Sequence, residues 1–216
     1  MIRYRYLIYI FFLVVIIYFI STPKLRVYEI PKDKMEFFVS ESRPNDAEFY
    51  INSNFFDKNH NPIGLVKIDG KIKSLQTKGG SFFSVNNGVI KIGRKTPAFN
   101  SKHISQSLLW GINGGKINKK LINKKHAKKK VYRSLIGEKK DGSIFIIVSS
   151  RIGFVTIEEI LLLGEKMKIE NAILFDGGSS LDYKFNKRKF TALHSFFKKV
   201  FKIRESTTYI VGRSKN

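Results

Sequence analysis

The sequence predicts an α+β domain: a mixed, mostly antiparallel β-sheet core with many hairpins and few helices, behind an N-terminal transmembrane anchor or signal segment. Three observations lead there. Short runs of β-branched and aromatic residues alternate with Gly-, Asn- and Asp-containing turns through most of the chain. Only one internal segment carries apolar residues at helical spacing. The N-terminus is a continuous apolar run behind two arginines.

Residues 1–22 open with a basic stretch, Arg3 and Arg5, and continue as Tyr6 to Ile20 without a charge. A spanning helix needs about 20 apolar residues, so this run suits a signal h-region or a minimal anchor. Its exit, Phe19-Ile20-Ser21-Thr22-Pro23, lacks the small-residue pattern of a cleavage site. An uncleaved single-pass anchor is therefore expected, with Arg3 and Arg5 in the cytoplasm and the domain facing outward, periplasmic or extracellular. Cleavage would instead secrete it. Residues 23–46 are charged and broken by Pro31 and Pro44, a juxtamembrane lead with one strand near Glu36 to Val39, and residues 47–216 form the domain.

Within the domain, Glu48 to Ile51 reads as a strand leading into the polar cluster Asn52-Ser53-Asn54 before two aromatics. Leu65 to Ile68 is a short strand ending on the hairpin signal Asp69-Gly70. Ser81 to Val85 and Val89 to Ile92 flank the turn Asn86-Asn87-Gly88, and Gln106 to Trp110 starts a further segment closed by Asn113-Gly114-Gly115. Lys116 to Lys130 breaks the pattern with lysine, asparagine and few apolar residues, which predicts a solvated loop or a basic patch for an anionic polymer or lipid. Arg133 to Gly137 and Ile144 to Val148 are strands around the turn Asp141-Gly142. Thr156 followed by Glu159 is a capping box, and Ile157, Ile160, Leu161 and Gly164 set one helix over Ile157 to Lys168. Ala172 to Phe175 is a buried strand, Lys184 to Arg204 a basic aromatic stretch, and Thr207 to Val211 the last strand.

Composition narrows the function classes. A net charge of +23 implies attraction to polyanions, although a lysine-rich surface that merely keeps the chain soluble has the same composition. The chain has no cysteine, which excludes disulfides and thiolate metal sites. No His/Asp/Glu cluster has ligand spacing, so neither an obligatory metal nor a cofactor is expected. An outward domain without a recognisable nucleic-acid motif is not expected to bind nucleic acid.

The chemistry concentrates in Phe175-Asp176-Gly177-Gly178-Ser179-Ser180. A carboxylate ends a buried strand, two glycines let the backbone turn and admit a close approach, and two hydroxyls follow. Their amides form an anion-binding concavity. The same residues also make an ordinary Asp-Gly turn leaving a core strand.

Several separate patches, in order, resemble the phosphodiester glycosidase family. They are Ile51-Asn52-Ser53-Asn54-Phe55-Phe56, then Pro62-Ile63-Gly64-Leu65 with Asp69-Gly70-Lys71, then Gly80-Ser81-Phe82-Phe83 and Gln106-Ser107. Arg133-Ser134-Leu135-Ile136-Gly137 with Asp141-Gly142, and the closing Asp176 to Ser180, complete the set. It spans about Glu48 to Val211. The closing motif has two glycines where the commoner pattern has three, and Asn52-Ser53-Asn54 lacks the glycine pair of many members.

The resemblance implies a hydrolase that releases a sugar from a sugar-1-phosphodiester, of the N-acetylglucosamine-1-phosphodiester kind, on cell-envelope or exopolysaccharide glycans. It implies Asp176 as nucleophile or base at the anomeric carbon, Arg133 as the charge that neutralises the leaving phosphate, and Asn52 beside them. Asn54, His60, Gln106, Ser107, Gly177, Gly178, Ser179 and Ser180 are the implied substrate contacts. His60 also reads as a bland loop residue, Arg133 as a salt-bridge partner, and Asn54, Gln106 and Ser107 as strand-end hydrogen bonders. Asp57 and Asp182 are secondary acids. The alternative is a membrane-anchored polyanion- or glycan-binding protein with a degraded site.

Overall fold

The computed structural model describes residues 2–21, 23–59, 61–192 and 208–215. In chain order the first strands are β1 (Leu25–Ile30), β2 (Met35–Ser40), β3 (Phe49–Asn52), β4 (Phe55–Phe56), β5 (Pro62–Ile63), β6 (Val66–Ile68), β7 (Lys71–Ser74), β8 (Ser81–Asn86) and β9 (Val89–Gly93). They are followed by β10 (His103–Ser107), β11 (Leu109–Asn113), β12 (Lys116–Ile117), β13 (Ser134–Lys139), β14 (Ile144–Ser149), β15 (Ile169–Leu174), β16 (Asp182–Phe185), β17 (Arg188–Thr191) and β18 (Tyr209–Ser214). The α-helices are α1 (Ile2–Ser21), α2 (Lys119–Ile122) and α3 (Ile157–Lys166).

The strands form a six-stranded sheet, β1-β14-β13-β15-β11-β12, and two five-stranded sheets, β7-β6-β10-β8-β9 and β17-β16-β3-β18-β2, with β4-β5 as a separate ribbon. All of the strand pairs among the described residues are antiparallel, so the expectation of a mixed sheet narrows to an antiparallel one. Hairpins explain this: Asp69-Gly70, Asn87-Gly88 and Asp141-Gly142 return the chain beside the strand it just left.

The central strands β13, β14 and β15 are covered on both faces, which is why they read as continuous apolar runs. Ile136, Ile144, Ile146, Val148 and Ile173 face a core shared with Phe37, Phe49, Ile51, Phe83 and Ile210 of the five-stranded sheets. The alternate residues Leu135, Phe145, Ile147, Ala172 and Leu174 face a second core under Ile157, Ile160 and Leu161 of α3. This is the period of two demanded by the pleat, with apolar cover on each side. The capping box forms as predicted: Thr156 Oγ1 accepts from the Glu159 amide at 3.1 Å, and Glu159 Oε2 accepts from the Thr156 amide at 2.7 Å.

Four expectations change. The segment 23–46 is woven into the sheets: β1 pairs with β14 along its whole length and β2 pairs with β18. The segment that starts at Gln106 is divided between sheets: β10 ends at Ser107, β11 starts at Leu109, and the chain crosses between them at Leu108. Inside the basic aromatic stretch, β16 and β17 form a hairpin, while residues 193–207 lie outside the described ones. The basic segment 116–130 is ordered structure: Leu121 and Ala127 are buried in the second core, and the Ala127 carbonyl accepts from the Ile157 amide at 2.9 Å.

At the N-terminus, α1 leaves its described side chains from Tyr6 to Val14 exposed. Among the described residues, however, no helix is long and apolar enough to cross a membrane. The anchor reading of residues 1–22, and with it the membrane as a partner, therefore finds no support in the structure.

Candidate active site

The six-stranded sheet brings three strand ends together. β15 runs out at Leu174 directly opposite Leu135 of β13 and Leu109 of β11, so Arg133, Leu108 and Asp176 lie at one edge of the sheet. The end of β3 closes the group. The Asp176 amide donates to the Ser53 carbonyl at 3.2 Å, and Asn52 Nδ2 donates to the Asp176 carbonyl at 2.9 Å. Asn52 Oδ1 accepts from the Asp182 amide at 3.0 Å. One buried amide side chain thus grips the loop 176–182 at its start and its finish.

Glycine is required where this loop turns. A Cβ on Gly177 would stand 2.4 Å from the Tyr132 carbonyl oxygen, so no other residue fits without moving the backbone. The next amide, Gly178, donates to that same carbonyl at 2.8 Å, and Gly178 has a φ of +60°, which glycine adopts without strain. The loop is held against Tyr132 and Arg133 on one side and Asn52 and Ser53 on the other.

Within that clamp, the Asp176 carboxyl accepts from the Ser180 hydroxyl and the Gly177 amide and faces the Arg133 guanidinium. Each of these favours the carboxylate, yet loss of water outweighs them and pushes the group up to about 6 from 3.8. The same burial draws Arg133 down, opposed by Asp176. Arg133 is held firmly: its amide donates to Ser149 Oγ at 2.8 Å, and its Nη2 donates to the His126 and Lys129 carbonyls at 3.0 and 3.1 Å. Its Nε is buried without a hydrogen-bond partner. The basic segment 116–130 therefore supplies the main-chain cradle of this arginine. A carboxyl poised near neutrality beside a fixed cation is an arrangement suited to acid–base or nucleophilic chemistry on an anionic substrate.

The other candidates fall into distinct places. Asn52, Asn54, Gln106 and Ser107 are fully buried. Asn54 Nδ2 donates to the Gln106 carbonyl at 2.8 Å, and its Oδ1 accepts from Ser105 at 2.6 Å, Thr208 at 3.0 Å and Ser53 at 3.1 Å. Gln106 Nε2 donates to the Thr77 and Gly79 carbonyls at 2.8 and 2.7 Å, and its Oε1 accepts from the Leu65 and Thr77 amides. Ser107 Oγ donates to the Leu174 carbonyl. With polar atoms engaged inside the protein, Asn52, Asn54, Gln106 and Ser107 brace the strand ends and loops around Asp176. Ser180 touches Asp176 and Ser179 is exposed on the loop. His60 lies outside the described residues.

The secondary acids are engaged as well. Asp182 is buried, 2.6 Å from Arg43 Nε, and accepts from Thr191 and Tyr209. Asp57 holds its own turn, accepting from the Asn59 and Asn61 amides at 2.8 and 2.9 Å. Among the described residues, no group of three or more His, Cys, Asp or Glu side chains could hold a metal. The contributions of Tyr132, His126, Lys129 and Ser53 come from backbone carbonyls, which leave no mark in a sequence. Ser149 and Thr208 left only a hydroxyl at a strand end.

Comparisons with known proteins agree with this architecture. A family model described as phosphodiester glycosidase matches residues 45–195. No curated protein matches the chain. The catalytic domain of zebrafish N-acetylglucosamine-1-phosphodiester alpha-N-acetylglucosaminidase, auto-inhibited by its pro-peptide, is similar at a TM-score of 0.64 and 13% identity, covering 90% of this chain and 85% of that one. A hypothetical protein from Synechocystis is similar at a TM-score of 0.69 and 13% identity, covering 88% of this chain and 59% of that one. A putative exported protein from Burkholderia pseudomallei is similar at 0.54 and 8%, covering 88% and 73%. At these identities the structural likeness concerns the fold alone.

Proposed function

Because the chain belongs to the phosphodiester glycosidase family, we propose that it hydrolyses a sugar-1-phosphodiester, with Asp176 acting at the anomeric carbon and Arg133 on the phosphate. The observation that carries the reading is the Asp176 carboxyl: desolvated, raised to about 6, and facing a guanidinium held by two backbone carbonyls. Above that pH the group is a carboxylate beside the reacting carbon, as nucleophile or as base for the attacking water. Either way the bond from the anomeric carbon to the phosphate oxygen breaks, and water supplies the hydroxyl of the free sugar and the proton balance of a phosphomonoester.

The leaving group explains why one carboxyl suffices. A phosphodiester oxygen leaves as a weakly basic anion, so it needs charge neutralisation more than a strong proton donor. Arg133, aimed by the two carbonyls that hold its Nη2, supplies a fixed positive charge beside that oxygen. The Gly177–Ser180 loop orients Asp176 from behind through the Ser180 hydroxyl and the Gly177 amide. The substrate sugar in this proposal is of the N-acetylglucosamine-1-phosphate kind, linked into an envelope or exopolysaccharide glycan.

The experiment is release of free sugar from alkyl and aryl diesters of N-acetylglucosamine-1-phosphate by the full-length protein. Asp176→Asn should lower hydrolysis by at least ~10²-fold while leaving the fold intact. The wild-type kcat/KM should rise as pH rises through about 6, where Asp176 ionises. A folded wild type inert on the whole panel would remove the hydrolytic reading in favour of glycan binding without cleavage. Retained activity in Asp176→Asn would remove Asp176 from the role.

A further inference from the structure

At the strand end where Leu109 meets Leu174 lies a cleft of about 560 Å³, lined by neither Asp176 nor Arg133. Trp110 and Leu108 line it together with the Gly79-Gly80 turn and residues of the segment Asn118 to Lys124. The turn and the segment are both pinned by buried amides. Gln106 holds the Thr77 and Gly79 carbonyls, and Asn118 donates to the Trp110 carbonyl at 3.0 Å while its Oδ1 accepts from the Leu121 amide at 3.2 Å. Its charged lining residues are all cationic: Arg94, which lies 4.8 Å from the Trp110 ring centre, and Lys119, Lys120 and Lys124, with no carboxylate among the residues that line it.

Cations gathered around one concavity repel each other, and an anion there would relieve that repulsion. The position is also specific. Leu109 pairs with Leu174, two residues before Asp176, and Lys124 is two residues before His126, whose carbonyl holds Arg133. A chain whose scissile phosphate met Arg133 would pass its next anionic group along this edge.

We infer that the Arg94–Trp110 cleft is a subsite for a further phosphate of the substrate, which makes the preferred substrate a polymer of repeating phosphodiesters rather than an isolated diester. The inference rests on the proposed hydrolytic reading for its orientation, and on the cleft itself for its chemistry.

Trp110 is the only tryptophan in the sequence, so its emission reports the cleft directly. Full-length Asp176→Asn, which binds without turnover, is titrated with a synthetic oligo(glycerol phosphate) and with the methyl diester of N-acetylglucosamine-1-phosphate. The oligomer should change Trp110 emission saturably and bind at least about tenfold tighter than the monomeric diester, with an affinity that falls as salt rises. Arg94→Gln/Lys120→Gln/Lys124→Gln should lose at least about tenfold in oligomer affinity. A charge-matched control, Lys71→Gln/Lys102→Gln/Lys166→Gln, should lose less than about threefold. Equal losses in the two triple variants would assign binding to net charge and overturn the inference, as would an oligomer that binds no tighter than the monomer or leaves Trp110 unchanged. A wild type inert on every diester whose cleft still shows this preference supports the subsite and removes the hydrolytic reading. A wild type active on monomeric diesters without oligomer preference does the reverse.

Discussion

Asp176→Asn tests the central physical claim through stability, independently of any substrate. Burial holds the Asp176 carboxyl near 6 in the folded protein against 3.8 as the ordinary value. The difference of about two pH units, at about 1.4 kcal/mol each, makes ionising this group in the fold cost about 3 kcal/mol. The sign follows from which state ionises first. Below about 3.8 the group is protonated in both states and the penalty is absent. Between 3.8 and about 6 the unfolded chain ionises while the folded one resists, so stability falls as pH rises; above about 6 the penalty is constant. Asparagine has the shape of the neutral acid and stays uncharged at every pH, so it escapes the penalty. The stability of Asp176→Asn relative to wild type should therefore grow by about 2 kcal/mol between about pH 4 and pH 7, read from urea unfolding at each pH. A relative stability that does not change with pH would show that Asp176 is well solvated and would remove the physical basis for its role. Gained stability with lost hydrolysis is the signature of a strained functional group.

Three further outcomes follow from the contacts. Arg133→Lys should lower kcat/KM by about 10²-fold on alkyl diesters and by less on aryl diesters, because an ammonium loses the two carbonyl contacts that aim the guanidinium and a better leaving group needs less neutralisation; equal losses on both would place Arg133 outside the leaving-group interaction. Asp182→Asn should lower stability by roughly 1–3 kcal/mol, since it removes the charge facing Arg43, about one-third exposed, and turns one of the two oxygens that serve Arg43, Thr191 and Tyr209 into an amide donor, and kcat per folded molecule should hold; a neutral effect on thermal unfolding would refute the reading of this network. Leu121→Ala should cost about 2–4 kcal/mol in chemical denaturation, because Leu121 is buried in the core under α3; no loss would return the basic segment to the status of a solvated loop.

Local physics wrote much of this molecule into its sequence. The hairpins at Asp69-Gly70, Asn87-Gly88 and Asp141-Gly142, the capping box of Thr156 and Glu159, and the apolar strands around Ile144 and Ile173 each follow from the residues that form them. So does Asp176 at a strand end before two glycines, because turn chemistry is a property of neighbours in sequence. What the residues could not disclose was long-range pairing. The charged segment 23–46 reads as a tether until β1 is seen against β14, where the partner strand satisfies its backbone. The lysine-rich segment 116–130 reads as a loop because its two anchoring residues, Leu121 and Ala127, are too sparse to make a period, yet its carbonyls hold Arg133. Asn54, Gln106 and Ser107 carry polar groups that suit a ligand or a core equally well, and only the tertiary structure decided for the core by surrounding each with protein donors and acceptors. The raised carboxyl of Asp176 belongs to that second class. Its residue type and its turn were local, but desolvation is set by β3, β13 and the Tyr132 carbonyl closing around it, and those arrive from distant parts of the chain.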